Sequence, residues 1–546
     1  MTAPPCFTLN AGIAWLVVRR KGPLIAILRY HFDAVKNPDD DMKSRQVSAD
    51  FCSFELTRTN GTPLFRQLYL QLRAAILSRR LRPGTRLPST RELAAQLGVS
   101  RSAAVAAYEQ LLAEGYTSGR HGSGTYVSPD LPDAIDGSRQ RRSKPAAAIA
   151  SAPRQIQSIG DFVDVTAQSD ERPFNLGRTL LVARTVELWR KLSARTFRSL
   201  DPSHFGYSDP RGTIELRKAI CDYLQAARAV RCDPDQIVVT AGTQQAVDIV
   251  IRILPDRDKE VWVEDPGYPL TRAALRAAGA TVRPIPVDGQ GIDVSAGIRS
   301  APNARAVFVT PSHQFPTGVV LSMARRLELL AWAREKRAWI VEDDYASEFR
   351  YGGRPLASLQ GLDDGERVIY VGTLNKALFP GLRLGYAVVP RALLRAFVAA
   401  RYLMDRQPST ISQAIVAAFM EQGHFAAHIR RMRLLYRDQR DELVAALTRR
   451  LGNDLTVKAP DQGMHLVAFT RKGLSDTAIE RAGRQHGVVV RAMSRLYVAA
   501  PPRSALVLGF SGHPRPAIIP AVERLAQAVA GLSTSRAPKR SATPKR

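Results

Sequence analysis

Apolar and polar positions along the chain first take on a regular order near residue 64. Apolar residues recur at helical spacing over 64–80, which predicts a first helix. A second, short helix is predicted over 90–97, because Ser89 and Glu92 have the spacing of a capping box and Gly98 follows as a natural C-cap. Only a short turn separates this helix from the next.

A third helix and two short strands follow the turn. Ser100 can cap a helix that ends near Gly115, and residues 116–127 have the pattern of a β-hairpin. The order helix, helix, turn, helix, hairpin is that of a winged helix-turn-helix. We therefore expect a small DNA-binding domain over 56–128.

Short apolar runs then alternate with helical stretches over residues 161–533. The runs are 237–240, 260–264, 306–310, 339–342 and 368–371. Continuous apolar runs of this length are typical of parallel strands buried on both faces. The pattern predicts a large α/β domain, doubly wound in style.

Three segments lack this order. Residues 1–55 form a predicted leader, which is either disordered or precedes a true start at Met42. Residues 129–160, rich in Pro, Ala, Ser and Arg, predict a flexible linker whose basic run is a solvated spacer or an auxiliary phosphate contact. The basic residues 534–546 predict a disordered tail.

Charge narrows the class of partner. The 546 residues carry a formal net charge of +28, which suits a polyanion. Ten Arg and four Glu give residues 55–128 a net charge of +6, more than twice the charge density of the large domain. This concentration favours a nucleic-acid face on the small domain.

Cysteine usage and hydropathy bound the location. The four cysteines are irregularly spaced, so the sequence predicts neither a disulfide framework nor a metal site. The apolar stretch 11–18 is far shorter than the roughly 20 residues of a membrane span. We expect a cytoplasmic protein with no membrane partner.

Candidate DNA contacts lie at the starts of the two paired helices and in the wing. The second helix of such a pair enters the major groove, and the Arg101 guanidinium near its start can reach guanine O6 and N7. Free N–H groups at the preceding helix start suit a phosphate. The predicted contact residues are Thr90, Arg91, Ser100, Arg101, Ser102 and Gly122.

The small domain resembles a known family. Residues 87–102, continued by 107–111, 114–116 and 122–127, resemble the GntR family of bacterial regulators. The resemblance covers roughly residues 62–128. It implies a reader of double-stranded operator DNA.

The large domain holds residues suited to an aldehyde and a phosphate. Lys376 follows an apolar strand and can form a Schiff base, and Arg383, beside glycines, can pair with a phosphate. Asp343 and Tyr345 follow another strand. A carboxylate and a phenol there can serve the pyridine nitrogen and the phenolic oxygen of pyridoxal phosphate.

A third piece completes this set. Gly242 and Thr243 lie where a strand turns into a helix, whose N–H groups can bind the cofactor phosphate. Together these parts resemble the fold-type I, aspartate-aminotransferase-like family over nearly all of residues 170–530. The resemblance implies that Tyr268 stacks on the pyridine ring. It also implies that Tyr207 reaches the neighbouring subunit's phosphate, and hence a homodimer.

A GntR-like reader joined to an aminotransferase-like domain is the architecture of the MocR subfamily. Residues 310–318 also resemble the form that the family's N-P-T-G region takes in that subfamily. The resemblance implies a transcriptional regulator with pyridoxal phosphate on Lys376. Its small effector is an amino compound or pyridoxal phosphate itself. The alternative is an aminotransferase with an accessory DNA-binding domain.

Two departures from the family bear on catalysis. Asn375 stands where the family usually has Ser, although an amide could donate to the phosphate instead. Residues 504–510 lack the arginine that usually holds the substrate carboxylate, for which Arg503 or Arg491 could substitute. Both departures leave transamination open.

Overall fold

The structure, a computed structural model, divides the chain into two units at the boundary between Ile149 and Ala150. The residues that it describes are 13–16, 28–31, 54–58, 61–120, 124–129, 170–254, 260–353, 356–364 and 367–534. Within the predicted leader, β1 (Ile13–Leu16) and β2 (Leu28–His31) pair antiparallel. Nearly all of the predicted linker and tail lies outside the described residues.

The first unit contains three helices followed by a hairpin. Its elements are α1 (Leu64–Leu77), α2 (Thr90–Leu97), α3 (Arg101–Ala113), β3 (Thr117–Arg120) and β4 (Gly124–Val127). This order confirms the predicted winged helix-turn-helix. Helix α1 stops short of residue 80, and Arg79 just beyond its end has a left-handed φ of 59°.

Local hydrogen bonds fix the turn between α2 and α3. The Ser89 N–H donates to Glu92 Oε2 at 2.8 Å, and the Glu92 N–H donates to Ser89 Oγ at 3.2 Å, which is the predicted capping box. Gly98 ends α2 with a φ of 62°. Ser100 Oγ then caps α3 by accepting from the Ala103 N–H at 3.2 Å. Both helix starts are therefore held in place.

The second unit is built around an eight-stranded sheet with the order β5-β12-β11-β10-β9-β6-β7-β8. Its strands are β5 (Ile237–Thr240), β6 (Glu260–Asp265), β7 (Thr281–Asp288), β8 (Gly291–Ile292), β9 (Ala306–Val309), β10 (Trp339–Asp344), β11 (Val368–Thr373) and β12 (Gly385–Val388). All five predicted runs are strands of this sheet.

One strand of this sheet runs against its two neighbours. Strand β5 has no parallel neighbour, because β12 lies antiparallel between β5 and β11. Only residues 374–384 connect β11 to β12, and a parallel return needs a crossover of about a dozen residues or more. The short connection therefore turns the chain back on itself, and it carries Lys376.

A smaller antiparallel sheet has the order β13-β14-β16-β15. Its strands are β13 (Leu455–Val457), β14 (His465–Thr470), β15 (Arg491–Ala492) and β16 (Ala505–Gly509). Alternate residues face opposite sides. Leu506 and Leu508 join the largest apolar core, whereas Ala505 and Val507 join a separate cluster with Phe315.

Helices flank both sheets. They are α4 (Ala183–Ser199), α5 (Ile214–Arg228), α6 (Thr243–Ile253), α7 (Pro269–Ala277), α8 (Val294–Ser300), α9 (Met323–Lys336), α10 (Leu359–Leu362), α11 (Leu374–Ala377), α12 (Arg391–Asp405), α13 (Thr410–Glu421), α14 (His424–Leu451), α15 (Asp476–Gln485) and α16 (Ile518–Thr534). Among the described residues, none of the helices combines the length and apolarity that a membrane crossing needs.

Candidate functional site

Gly242, Asn375 and Arg383 meet at one edge of the large sheet. A Cβ atom built on Gly242 would lie 2.8 Å from Asn375 Nδ2 and 3.8 Å from an Arg383 terminal nitrogen. Asn375 Oδ1 accepts from the Leu384 N–H at 2.8 Å, so the amide nitrogen is the end that faces Gly242. An amide and a guanidinium thus converge on a glycine that leaves room beside them.

The start of helix α6 adds further donors to this place. Gly242 precedes Thr243, the first residue of α6, and has a φ of 126°, which only glycine adopts readily. The first N–H groups of a helix have no acceptor within it, and the helix dipole favours an anion there. Gly242, Thr243, Asn375 and Arg383 can therefore hold a phosphate ester.

Lys376 lies next to this phosphate cradle. Its Nζ donates to the Gly177 carbonyl oxygen at 2.7 Å. Burial, with the nearby positive charges of Arg383 and Arg178, lowers the pKa of Lys376 to about 8. A lysine with this pKa has a sizeable neutral fraction near neutral pH, which a nucleophilic amine needs.

Asp343, on strand β10, is a half-buried residue whose Oδ1 atom is buried. Burial, and then the charges of Asp344 and Glu264, raise its pKa to about 7. Its Oδ1 is buried and has no hydrogen-bond partner among the described residues. Together with Tyr268, Glu264 and Thr310, it lines a small cavity. A buried polar atom without a partner is uncommon in folded proteins and calls for an explanation, of which a bound ligand is one.

Two tyrosines lie near Asp343. The Tyr345 hydroxyl is buried and likewise has no partner within the described part of the chain. The charge of Asp343 contributes to raising the pKa of both Tyr345 and Tyr268, after the larger effect of burial. The Tyr268 ring meets Phe315 edge-on, with centroids 5.4 Å apart. The predicted carboxylate, phenol and aromatic ring therefore lie in one region.

Glu264 and Gln314 hold the loop beside this cavity. Glu264 accepts from the Thr310 hydroxyl at 2.6 Å, and burial raises its pKa to about 7. Gln314 Nε2 donates to the Pro266 carbonyl at 2.8 Å. These contacts hold in place the loop over residues 310–318, which resembles the MocR form of the family's loop.

The neighbouring Asp344 is paired with Arg228 through its Oδ2, whereas its Oδ1 is buried and has no partner among the described residues. Its Oδ2 accepts from Arg228 Nε at 2.9 Å and from the Tyr370 hydroxyl at 2.6 Å. Successive residues of a strand face opposite sides of the sheet. Asp344 therefore anchors β10 on one side and leaves Asp343 available on the other.

Tyr207 is exposed on the surface of the second unit. It is 80% exposed, and the Arg406 guanidinium lies 4.8 Å from its ring centroid. Within the described chain it has no hydrogen bond to the phosphate cradle. The prediction that Tyr207 serves a neighbouring subunit stays a prediction.

In the first unit, the predicted DNA contacts lie at the starts of α2 and α3. Arg91, Arg101 and Ser102 are exposed and Thr90 is half-buried. Ser100 caps α3, and its Oγ also lies 3.0 Å from Ser102 Oγ. The arrangement presents two guanidinium groups beside two helix N-termini, which suits a phosphodiester backbone.

The wing adds one cation that the sequence analysis did not single out. Gly122 lies outside the described residues. Gly124, at the start of β4, has a φ of 114°, and a Cβ there would lie 3.1 Å from Arg86 Nε. Arg86 also bridges to Tyr126 of β4. This pairing places Arg86 against the hairpin, and no spacing in the sequence predicts it.

Sequence reasoning also missed Gly177 and Arg178 in the large unit. Gly177 accepts from Lys376, and the charge of Arg178 helps to lower the pKa of that lysine. Both precede Lys376 by almost two hundred residues, in a segment without regular structure. Only the folded chain brings them to the lysine.

Family comparisons agree with this division of the chain. Residues 175–525 match the family described as aminotransferase class I and II, and residues 64–127 match the bacterial regulatory proteins of the gntR family. The chain is 39% identical to the probable rhizopine catabolism regulatory protein MocR of Rhizobium meliloti, over 88% of this chain and 97% of that protein. It is 32% identical to the HTH-type pyridoxine biosynthesis transcriptional regulator PdxR of Corynebacterium glutamicum, over 82% and 92%.

Solved structures resemble the large unit. An archaeal alanine:glyoxylate aminotransferase superposes with a TM-score of 0.61 at 25% identity, covering 70% of this chain and 96% of that one. The α-aminoadipate aminotransferase LysN of Thermus thermophilus, complexed with N-(5'-phosphopyridoxyl)-L-leucine, gives 0.60 at 25% identity, over 71% and 96%.

Proposed function

The chain belongs to the MocR-like transcriptional regulators, in which a GntR-type reader is joined to a class I/II aminotransferase domain, and we propose that its large domain binds pyridoxal phosphate on Lys376 and senses an amino compound. Relatives that match both domains are named as regulators. The aminotransferase structures cover only about 70% of the chain. A regulator is therefore favoured over an enzyme with an accessory reader.

The observation that carries the cofactor proposal is the pair of buried polar atoms without partners. Asp343 Oδ1 and the Tyr345 hydroxyl have none among the described residues, although burial makes such groups costly. The pyridine nitrogen and the phenolic oxygen of pyridoxal phosphate would supply one partner to each. The family of the large domain is dependent on this cofactor.

The cradle fits the remaining part of the cofactor. Thr243, Asn375 and Arg383 would hold its phosphate, and Gly242 would leave room for it, since a Cβ there would press on the amide. Asn375 would donate to the phosphate in place of the family's usual serine, because its Oδ1 accepts from the Leu384 N–H and its amide nitrogen faces Gly242. Tyr268 would cover one face of the ring.

When bound through Lys376, the cofactor supplies an electrophilic carbon that a primary amine can attack. The lowered pKa of Lys376 keeps a fraction of its amine neutral for attachment and release. Asp343 would hold a proton at the pyridine nitrogen. Arg383 would keep the phosphate in place while Lys376 is displaced, so the site can exchange one amine for another without losing the cofactor.

Partners follow from the two domains. The first unit would bind a double-stranded operator through Arg101, Arg91 and the wing, and a homodimer would present two such readers. Tyr207 would serve the partner's site. We place the protein in the cytoplasm, where operators lie. The pyridoxine-related name of one relative supports pyridoxal phosphate itself as an alternative effector.

A combined test uses the full-length protein with and without pyridoxal phosphate. We expect a visible absorption band that the Lys376→Ala variant lacks, and a footprint on DNA upstream of neighbouring genes that depends on the cofactor. Transamination at enzyme-like rates without specific DNA binding would favour the enzyme instead. A footprint that is identical in the wild type and in Lys376→Ala at every cofactor concentration would contradict sensing through this lysine.

A further inference from the structure

Two cysteines of the second unit lie in contact with each other. Cys221 is on helix α5 and is 2% exposed, whereas Cys232 is half-buried and lies between α5 and strand β5. Their Sγ atoms are 3.6 Å apart, and both thiols are free. The spacing of the cysteines in the sequence predicts no disulfide, so this contact is known only from the fold.

Hydrogen bonds from two glutamines hold Cys232 in this position. Gln225, one turn beyond Cys221 on α5, donates from its Nε2 to the Cys232 carbonyl oxygen at 2.9 Å and to Cys221 Sγ at 3.4 Å. Gln360 fixes the preceding residue, because its Oε1 accepts from the Arg231 N–H at 2.8 Å and its Nε2 donates to the Arg231 carbonyl at 2.7 Å. The fold therefore keeps the two sulfur atoms together.

The two thiols differ in how easily a small molecule can reach them. A thiolate must reach the sulfur that it attacks, and half-buried Cys232 is the more accessible of the pair. Burial is the largest cause that raises the pKa of both thiols, so thiolate is scarce at neutral pH. The pair is thus suited to slow exchange with a persistent oxidant rather than to a fast reaction.

We propose that Cys221 and Cys232 are a reversible oxidation site, which closes to a disulfide by exchange with a low-molecular-weight disulfide. Cys232 Sγ attacks one sulfur of the small disulfide, whose sulfur–sulfur bond breaks and releases one small thiol. Cys221 Sγ then attacks Cys232 Sγ and releases the second small thiol. The protein pair loses two electrons and two protons, and the small disulfide gains both.

The new bond would close a ring over residues 221–232, which contains Arg228. Arg228 is the last residue of α5, and it donates to Asp344 Oδ2 at 2.9 Å and to Ser312 Oγ at 2.6 Å. The disulfide would therefore restrain the segment that anchors the end of strand β10. A closed ring also lowers the entropy of the unfolded chain, so the bond should favour the folded protein.

The test uses full-length protein with Cys6→Ser and Cys52→Ser, so that only Cys221 and Cys232 remain. The folded protein, and the same protein unfolded in urea, are equilibrated in buffers of defined ratios of reduced to oxidised glutathione. Free thiols are then trapped with N-ethylmaleimide. Trypsin places the two cysteines in separate peptides, 219–228 and 232–252, and mass spectrometry measures the free, glutathionylated and linked forms.

We expect the two peptides to be recovered as one linked species that dithiothreitol separates. Because the fold holds the sulfur atoms in contact, the equilibrium constant for disulfide formation should be about tenfold or more larger in the folded protein than in urea. The rate of formation should rise with pH, since the thiolate is the attacking species.

Single variants in the same background test the order of the two attacks. Cys221→Ser should stop at a glutathione adduct on Cys232, because the second attacking sulfur is missing. Cys232→Ser is the matched control, and it should leave the buried Cys221 unmodified.

An equilibrium constant that is no larger in the folded protein than in urea would overturn the inference. A folded protein that accumulates only the glutathione adduct would do the same, because the two sulfur atoms then cannot bond within the fold. An adduct on Cys221 in Cys232→Ser, with none on Cys232 in Cys221→Ser, would overturn the order of attack.

Discussion

Lys376 donates a hydrogen bond of 2.7 Å to the carbonyl oxygen of Gly177, a residue 199 positions earlier in the chain. The bond holds the amine in a buried place beside Arg383 and Arg178. The lysine is thus poised between a carbonyl that stabilises its charged form and surroundings that oppose that form. Burial is the largest cause of its lowered pKa of about 8, followed by the charges of Arg383 and Arg178.

Cofactor uptake should therefore depend on pH with a midpoint near that pKa. Attachment needs the neutral amine, so the rate at which cofactor-free protein acquires pyridoxal phosphate should rise through pH 8 rather than through the value near 10.4 of a free lysine. Stopped-flow absorbance measures it. Arg178→Met removes one positive neighbour and should move the midpoint upward, though not to the free value, because burial is the larger cause.

A midpoint at the value of free lysine would contradict this environment for Lys376. N-acetyl-lysine amide, measured alongside, gives the reference profile for an amine in water. A midpoint unmoved in Arg178→Met would show that Arg178 lies too far away to act.

The adjacent aspartates Asp343 and Asp344 should respond oppositely to removal of their charge. The folded-state pKa of Asp343 is raised to about 7 from 3.8. Between these values the folded protein holds a proton that the unfolded chain has lost, so this group lowers the free energy of unfolding as pH rises through that window. Asp343→Asn should therefore stabilise the cofactor-free protein at pH 8 by about 1–3 kcal/mol, and much less at pH 4.

Asp344→Asn is the matched control for that change. It leaves Arg228 buried without its ionic partner and should destabilise the protein by about 3–5 kcal/mol. Urea unfolding of both variants measures the difference. Equal effects of the two changes would contradict the assignment of Asp343 to a ligand and Asp344 to the fold.

These two aspartates also show what the sequence could predict. The apolar run before them predicts the strand, and their place at its end predicts a cofactor site. The sequence could not say which carboxylate is free, because that depends on Arg228 and Tyr370 from distant elements.

The phosphate cradle was partly predictable for a similar reason. Gly242 and Arg383 stand out beside turns in the sequence. The donor role of Asn375 depends on the Leu384 N–H, which turns its amide, and that contact exists only because β12 folds back antiparallel. The position of Arg491 opposite Val507 is harder still to predict from the sequence, because it depends on the pairing of two strands.

The space at Gly242 should matter beyond its backbone angle. Gly242→Ala places a Cβ about 2.8 Å from Asn375 Nδ2 at a φ of 126°, and should abolish cofactor binding. Gly279→Ala is the matched control, with a φ of 82° and no atom within 4 Å of the new Cβ. Gly279→Ala should lose roughly 1–2 kcal/mol of stability from the backbone. Gly242→Ala should lose about 1–3 kcal/mol, because its φ of 126° with a ψ of 176° lies in a region that is essentially restricted to glycine. Normal cofactor affinity in Gly242→Ala would contradict the cradle.

Arg101 and Arg91 should affect DNA binding differently. Arg101→Ala should weaken binding to the specific site by about 1–3 kcal/mol and have less effect on random DNA, since it is placed to reach a base. Arg91→Ala should weaken both equally and reduce the slope of the salt dependence by about 1, because a phosphate contact carries no sequence information. Fluorescence anisotropy at several salt concentrations measures both. Equal loss on random DNA for Arg101→Ala would assign it to the backbone.

Tyr207 should act in the partner's site. It is 80% exposed and, among the described residues, makes no hydrogen bond to the cradle of its own chain, which fits a side chain that is covered in a dimer. Tyr207→Phe should weaken cofactor binding roughly tenfold or more, the cost of a hydrogen bond to a charged group. A mixed dimer of Tyr207→Phe with Lys376→Ala decides whether the contact crosses the interface. If it does, one site contains both an intact Lys376 and an intact Tyr207, and the mixture should recover wild-type affinity at half the sites; if the tyrosine serves its own chain, only weakened sites remain.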